Sequence, residues 1–172
     1  MEGVEVHYPL EAAERELREL DRADGDSEIQ GRGVLFQLPP QFSKNHQRLA
    51  SFLQMLPRCY PYAFEFRHKS WYDDDIYQLL RAHDVALCIS DHHDAPSPWE
   101  VTARHVYLRG HGPDGRYKNH YPDRILRTWA RHIRKWRRER RSVFVYFDND
   151  QKSAAPTDAR RLAEILQQAG RK

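Results

Sequence analysis

An α/β fold of repeated strand–helix units, arranged as part of a (β/α) barrel, is what this sequence predicts, and three observations carry the expectation. Short apolar runs of strand length alternate with stretches of helical periodicity. Strands separated by helices imply parallel pairing through right-handed crossovers. The runs also end, one after another, in unusual polar groups, as strands do where a barrel carries its site.

Along the chain, Leu10 to Leu20 reads as an amphipathic helix, with Leu10, Ala13, Leu17 and Leu20 on one face. Asp21 to Gly33 is polar and reads as a loop. Gly33 to Leu38 reads as a buried strand, stopped by Pro39-Pro40, which cannot donate to a ladder. Ser43 to Leu56 predicts a helix with Leu49, Phe52, Leu53 and Leu56 inward and Ser43 or Asn45 as its cap. Tyr62 to Arg67 predicts a strand, Asp73 to His83 a helix, and Val85 to Ser90 a strand. His105 to Arg109 is the next strand, followed by a long loop and a helix over Asp123 to Arg138. Ser142 to Phe147 is the last strand, and Thr157 to Gln168 the closing helix, capped by Thr157 or Asp158. Val4 to Tyr8 is a weaker sixth strand.

At 172 residues the chain suits one domain, residues 1–172. A complete eight-unit barrel takes about 250 residues, so five or six units are expected here. Apolar residues at 40% and charged residues at 31% describe a globular chain rather than a disordered one. No apolar run approaches the roughly 20 residues that span a bilayer, and the N-terminus lacks the pattern of a signal peptide. Cys59 and Cys88 form no CxxC, which points to two reduced, mostly buried thiols in a cytoplasmic protein.

The net charge of +3 is unevenly spread. Between Arg124 and Arg141 there are nine Arg or Lys residues and one acid, Glu139, so the remainder of the chain is net acidic. Within that helix Leu126, Trp129, Ile133 and Trp136 form one apolar stripe, with Arg127, Arg131, Arg134, Lys135 and Arg138 away from it. The tryptophans read as core anchors. The basic face is either solvated or a surface for phosphates.

The strand ends supply the candidate site: Gln37; Glu65, Arg67 and His68 with Trp71; Asp91 with His92 and His93; Arg109 with His111; and Asp148, Asn149 and Asp150. Glu65 lies in an apolar, aromatic strand, where a carboxylate must be paired or shift its pKa. It either takes part in function directly or pairs with Arg67 or Arg109. The planar fork of Arg109 suits a phosphate or carboxylate, though an internal salt bridge would use it as well. Glycines flank His111 and permit close backbone approach; His111 itself is a candidate acid or base. Glu65, His68, Asp91, His92, His93, His111, Asp148 and Asp150 could supply ligands to a divalent metal, but no tight ligand spacing is present. The loop from Gly110 to Tyr117 could hold a phosphate on backbone amides.

The run Val34-Leu-Phe-Gln-Leu-Pro-Pro-Gln-Phe, then Tyr62-Ala-Phe-Glu-Phe-Arg-His and Ser70-Trp71, resembles the domain of unknown function 72 (YecE-like) family. Val85-Ala-Leu-Cys-Ile-Ser-Asp, Tyr107-Leu-Arg-Gly-His-Gly, Gly115-Arg-Tyr and Phe147-Asp-Asn-Asp follow in the same order, so the resemblance covers about Gly33 to Leu166. It implies a TIM-type barrel with a site at the strand C-termini, in a family without a settled activity. Similarity of barrel shape to endonuclease IV-like and xylose isomerase-like enzymes implies phosphodiester or sugar chemistry by fold analogy. The early strands that members carry, with Gly-Thr-Ser-Gly-Trp-like and Glu-Ile-Asn-like motifs, do not occur here. Asp148 also stands where Asn is common, and the stretch Asp21 to Gln30 differs from the usual lead-in.

The leading expectation is therefore a barrel-mouth site for a small anionic, phosphate- or sugar-containing ligand, with hydrolysis as its candidate reaction. Arg67 and Arg109 would clamp the ligand, with Gln37, His68, Trp71, Tyr117, Asn149 and Asp150 around it. Glu65 or Asp91 would act as base and His111 as acid. The alternatives are a nucleic-acid-binding module without catalysis, or an inactive truncated paralogue. A barrel short of its first units would also expose edges and favour self-association.

Overall fold

The computed structural model describes residues 5–6 and 33–168. The helix read over residues 10–20 and the loop over residues 21–32 lie outside the described residues. Six parallel strands form one sheet in the order β1 to β6: β1 (Glu5–Val6), β2 (Val34–Gln37), β3 (Tyr62–Glu65), β4 (Ala86–Ser90), β5 (His105–Gly110) and β6 (Ser142–Phe147). The sequence-adjacent order, with helices in the β2–β3, β3–β4 and β5–β6 connections and an irregular loop between β4 and β5, curls the sheet into a half-barrel. The helices are α1 (His46–Met55), α2 (Asp74–Ala82), α3 (Asp123–Arg138) and α4 (Ala154–Gln168), with 3-10 turns at Lys69–Trp71 and Gln151–Ser153.

Period-two alternation sorts the residues of β2 to β6 between two surfaces. Phe36, Phe64 and Leu87 face outward, where they pack with Leu49, Phe52 and Leu53 of α1 and Ile76 and Leu80 of α2. Ile89, Val106 and Leu108 continue that outer layer against Leu126, Trp129, Ile133 and Trp136 of α3 and Leu162 of α4. The stripe in α3 is therefore buried, as its spacing predicts, while Arg127, Arg131 and Arg138 are exposed. Each indole should contribute roughly 3–5 kcal/mol against alanine. The inner face is made by Leu35, Ala63, Ala86, Cys88 and Tyr107, with Phe144 and Tyr146 of β6 half-buried against them.

Several boundaries move from their predicted places. The helix predicted from Ser43 begins at His46, because Asn45 is the cap and accepts from the Arg48 amide at 2.9 Å. The strand predicted to reach Arg67 stops at Glu65, and the one from Val85 starts at Ala86. The closing helix starts at Ala154, three residues early; Pro156 falls in its first turn, where its absent N–H costs no helical bond. Asp158 is consequently no cap. It is fully buried and accepts from the Tyr121 amide (2.9 Å), Asn149 Nδ2 (2.9 Å) and Arg161 (2.7 Å), tying α4 to the loop before α3. Burial would raise the Asp158 pKa, but these donors outweigh it and hold the carboxyl below its usual range. Both cysteines are free, but only Cys88 is buried; Cys59 is exposed, contrary to expectation, because it follows α1 in a surface turn. Among the described residues no helix is long and apolar enough to cross a membrane.

Candidate functional site at the strand C-termini

Parallel pairing puts every strand's C-terminus at one end, and the alternation that points Leu35, Ala63, Cys88 and Tyr107 inward does the same for Gln37, Glu65, Ser90 and Arg109. Gln37 pairs in register with Glu65, and Ser90 with Arg109. One further pleat along β3, β5 and β6 come Arg67, His111 and Asp148. The inner face thus changes from apolar to ionic within one pleat.

Glu65 is the centre of the cluster and is 0% exposed. Arg67 Nε donates to its Oε1 at 2.7 Å and Arg109 Nη1 to its Oε2 at 2.8 Å. The Ser90 hydroxyl donates to Oε1 at 3.3 Å. Burial alone would raise the Glu65 pKa, but the Arg109 and Arg67 charges outweigh it and hold the carboxyl below its ordinary value. Both guanidiniums converge on Gln37 Oε1, at 2.6 Å from Arg67 Nη2 and 2.7 Å from Arg109 Nη1. Arg109 Nη2 also donates to Asp148 Oδ2 at 2.8 Å, and Arg67 Nη1 to the Tyr117 hydroxyl at 2.7 Å. Each arginine fork is thereby spread over several acceptors.

His111 is also 0% exposed. A guanidinium only donates, so the 3.3 Å contact from Arg67 Nη2 makes His111 Nε2 the acceptor. The ring proton then sits on Nδ1, 3.3 Å from Ser90 Oγ and 3.5 Å from Asp91 Oδ1. Nε2 is also 3.6 Å from Glu65 Oε1 and 3.7 Å from Asp148 Oδ2. The His111 amide donates to Asp91 Oδ1 at 2.7 Å, and the Tyr121 hydroxyl donates to Asp91 Oδ2. Burial, reinforced by the Asp91 charge, pushes the Tyr121 pKa up. Close approach needs the glycines: a Cβ on Gly110 would meet the Trp129 ring at 2.6 Å, and one on Gly112 (φ 97°) the Lys118 carbonyl at 2.4 Å. Toward solvent the cluster presents Tyr117 (37% exposed), Asp91 (33%) and Asp148 (30%).

The expected residues divide. Gln37, Glu65, Arg67, Asp91, Arg109, His111 and Tyr117 meet in this network. Trp71 is instead a core residue, stacked on Phe66 at 4.7 Å with its indole N–H donated to the Phe42 carbonyl. His68 caps the first 3-10 turn, accepting from the Ser70 amide at 3.2 Å. Asn149 is fully buried and spends its amide on Asn119 O and Asp158; Asp150 is exposed and starts the second 3-10 turn. These four share the strand-end region, but local backbone geometry turns them away from the Glu65 cluster. Ser90 and Tyr121 are parts of the arrangement that the sequence does not single out, while Asp148, expected only as a strand-end residue and metal ligand, enters as a partner of Arg109. The strand-end motifs contain Ser90 and Asp148, whereas Tyr121, twelve residues past Arg109, carries no sequence signal.

Of the expected metal ligands, Glu65, Asp91, His111 and Asp148 are engaged in the network just described. Among the described residues, His92, His93 and Asp94 bring one ligand atom each within 4.8 Å of one another. Burial, then the Arg67 charge, lowers the His92 pKa to about 4.

A family model described as "Protein of unknown function DUF72" matches residues 10–172. UPF0759 protein YunF of Bacillus subtilis (strain 168) is 26% identical over 161 residues, covering 77% of this chain and 57% of YunF. A solved DUF72 family protein from Thermotoga maritima superposes with a TM-score of 0.74 at 24% identity, over 92% of this chain and 64% of that one. One from Enterococcus faecalis gives 0.71 at 20% identity, over 92% and 65%. This chain therefore spans roughly three fifths of the length of these relatives, and at these identities the structural likeness speaks to the fold.

Proposed function

We propose that this chain, which belongs to the DUF72 family, binds a small sugar-type ligand at the C-terminal mouth of its half-barrel. The supporting observation is the charge balance of the cluster. Arg67 and Arg109 face the carboxylates of Glu65 and Asp148, with Asp91 beside them, so the mouth offers no excess positive charge. A phosphate would have to displace Asp148 from Arg109 and approach a second carboxylate. A polyol can instead donate to Asp148 and accept from Tyr117 while leaving the inner pairs intact. Of the two ligand types that the sequence leaves open, the sugar fits this balance better.

The roles change accordingly. Glu65, clamped by two arginines and held well ionised, is a poor base; it positions Arg67 and Arg109. His111, whose ring edges face Ser90, Asp91, Glu65 and Asp148, is the group for proton transfer in any hydrolysis of the bound ligand. The test is ligand-observed NMR with neutral mono- and disaccharides and their matched phosphate esters. Neutral sugars should bind at least as well as the phosphates, and Asp148→Asn should weaken them about tenfold, as for loss of a charged hydrogen bond. Preference for the phosphates, or no binding of either, would refute the reading.

A second reading is favoured by α3, where Arg124, Arg127, Arg131, Lys135 and Arg138 are all exposed. Binding of single-stranded nucleic acid there would weaken steeply with added salt, unlike binding of a neutral sugar.

A further inference from the structure

We propose that His92, His93 and Asp94, in the loop after β4, form a site for a first-row divalent transition metal of the zinc class. Their three ligand atoms lie within 4.8 Å of one another. A tetrahedral zinc with bonds near 2.0–2.1 Å needs ligand atoms about 3.3 Å apart, a closure that small side-chain rotations supply.

Hydrogen bonding fixes which nitrogen of each ring can serve as the ligand. The Gly115 carbonyl lies 3.1 Å from His93 Nδ1, and a carbonyl only accepts, so Nδ1 carries the hydrogen. His93 Nε2 then faces Asp94 Oδ1 at 3.1 Å. The Asp94 amide donates to His92 Nδ1 at a long 3.4 Å, so that nitrogen is the unprotonated one; its lone pair, 4.0 Å from Asp94 Oδ2, would exchange this weak bond for a metal. Two imidazole nitrogens and a carboxylate come together, and a cation between them would replace the Asp94 amide at His92 Nδ1 and bridge His93 Nε2 to Asp94 Oδ1. An N–H given to a backbone carbonyl is also what orients a metal-ligating histidine.

The brace behind His93 is rigid. Gly115 (φ 69°) is closed in a turn onto Gly112 O at 2.8 Å, and the His93 amide donates to Gly115 O at 3.3 Å. A Cβ on Gly115 would stand 2.5 Å from His93 N and 2.3 Å from Asp91 O, so only glycine lets the two loops touch. His92 is buried at 4% exposure, with its ring 5.3 Å from that of His111, whereas His93 and Asp94 reach solvent and leave a path for the ion. Two nitrogens and one carboxylate suit Zn²⁺ or Co²⁺ rather than Mg²⁺, which keeps to oxygen.

The inference does not rest on the sugar reading, because the metal alone is the probe. The chelator-treated full chain is titrated with Co²⁺, read by its visible d–d bands, and then with Zn²⁺ in competition. One equivalent should bind at micromolar concentration or below, with Mg²⁺ failing to displace it. His93→Ala and Asp94→Asn should each weaken binding at least tenfold with an unchanged far-ultraviolet spectrum, while Cys59→Ser should leave it as it is. No Co²⁺ band below millimolar, equal affinity in all variants, or loss of binding in Cys59→Ser would overturn the assignment. So would an NMR titration showing that the His93–Asp94 contact is held by a proton whether or not Co²⁺ is added.

Discussion

Replacing Glu65 by glutamine keeps the shape of the side chain and removes its charge, and it isolates the contribution of the central carboxylate. The wild-type group sits between two guanidiniums, 2.7 Å from Arg67 Nε and 2.8 Å from Arg109 Nη1, and all three residues are buried. In Glu65→Gln the amide oxygen can still accept from one arginine, but the amide NH₂ is then turned toward the other, donor against donor. Removing one partner of a buried pair typically costs 3–5 kcal/mol. Asp148 still faces Arg109 and Gln37 still accepts from both arginines, which sets the expectation at the low end, about 3 kcal/mol. Urea unfolding at neutral pH should show this as a lower midpoint with an unchanged slope. The pH dependence follows from the lowered Glu65 pKa. A carboxyl with a depressed folded-state pKa contributes fully above its unfolded value, near 4.3, and loses that contribution as the pH falls through the folded value. The gap between wild type and Glu65→Gln should therefore shrink below about pH 4. A loss under about 1 kcal/mol at neutral pH, or a gap that widens in acid, would refute the account of Glu65 as the charge that holds both arginines in place.

Two further outcomes follow from the packing. Gly110→Ala should lower stability by about 1–3 kcal/mol in thermal or urea melts, since its Cβ would meet the Trp129 ring at 2.6 Å and the Tyr121 hydroxyl at 2.8 Å; an unchanged midpoint would mean that the α3 packing is looser than described. Phe144 and Tyr146 remain half-buried on the inner face of β6, which among the described strands pairs with β5 alone, so sedimentation across a concentration series should show self-association. A single monomeric species at every concentration would count against that expectation.

Much of the architecture was legible in the residues. The apolar runs and the 3.6-residue stripes depend on local periodicity, and so the strands from Val34 to Phe147 and the stripe of Leu126, Trp129, Ile133 and Trp136 could be read directly. Parallel pairing followed from the helices between β2 and β3, β3 and β4, and β5 and β6, while the long helix-free loop between β4 and β5 extends it to Arg109, so that Gln37, Glu65 and Arg109 share one end. Which polar residues share a site was a different matter. Trp71 and His68 follow β3 as closely as Arg67 does, yet a 3-10 turn carries one into the core and makes a cap of the other. Asn149 and Asp148 are neighbours in sequence, but the pleat sends Asp148 to Arg109 and Asn149 to Asp158 on α4. Tyr121 and Gly115 reach Asp91 and His93 through loops whose closure depends on contacts twenty to thirty residues away. Sequence by itself determined the alternation of faces and the common direction of the strands, because both are local periodic properties of the backbone. Tertiary structure decided the partners of each charge, because a buried ion pair is set by the register of strands distant in the chain.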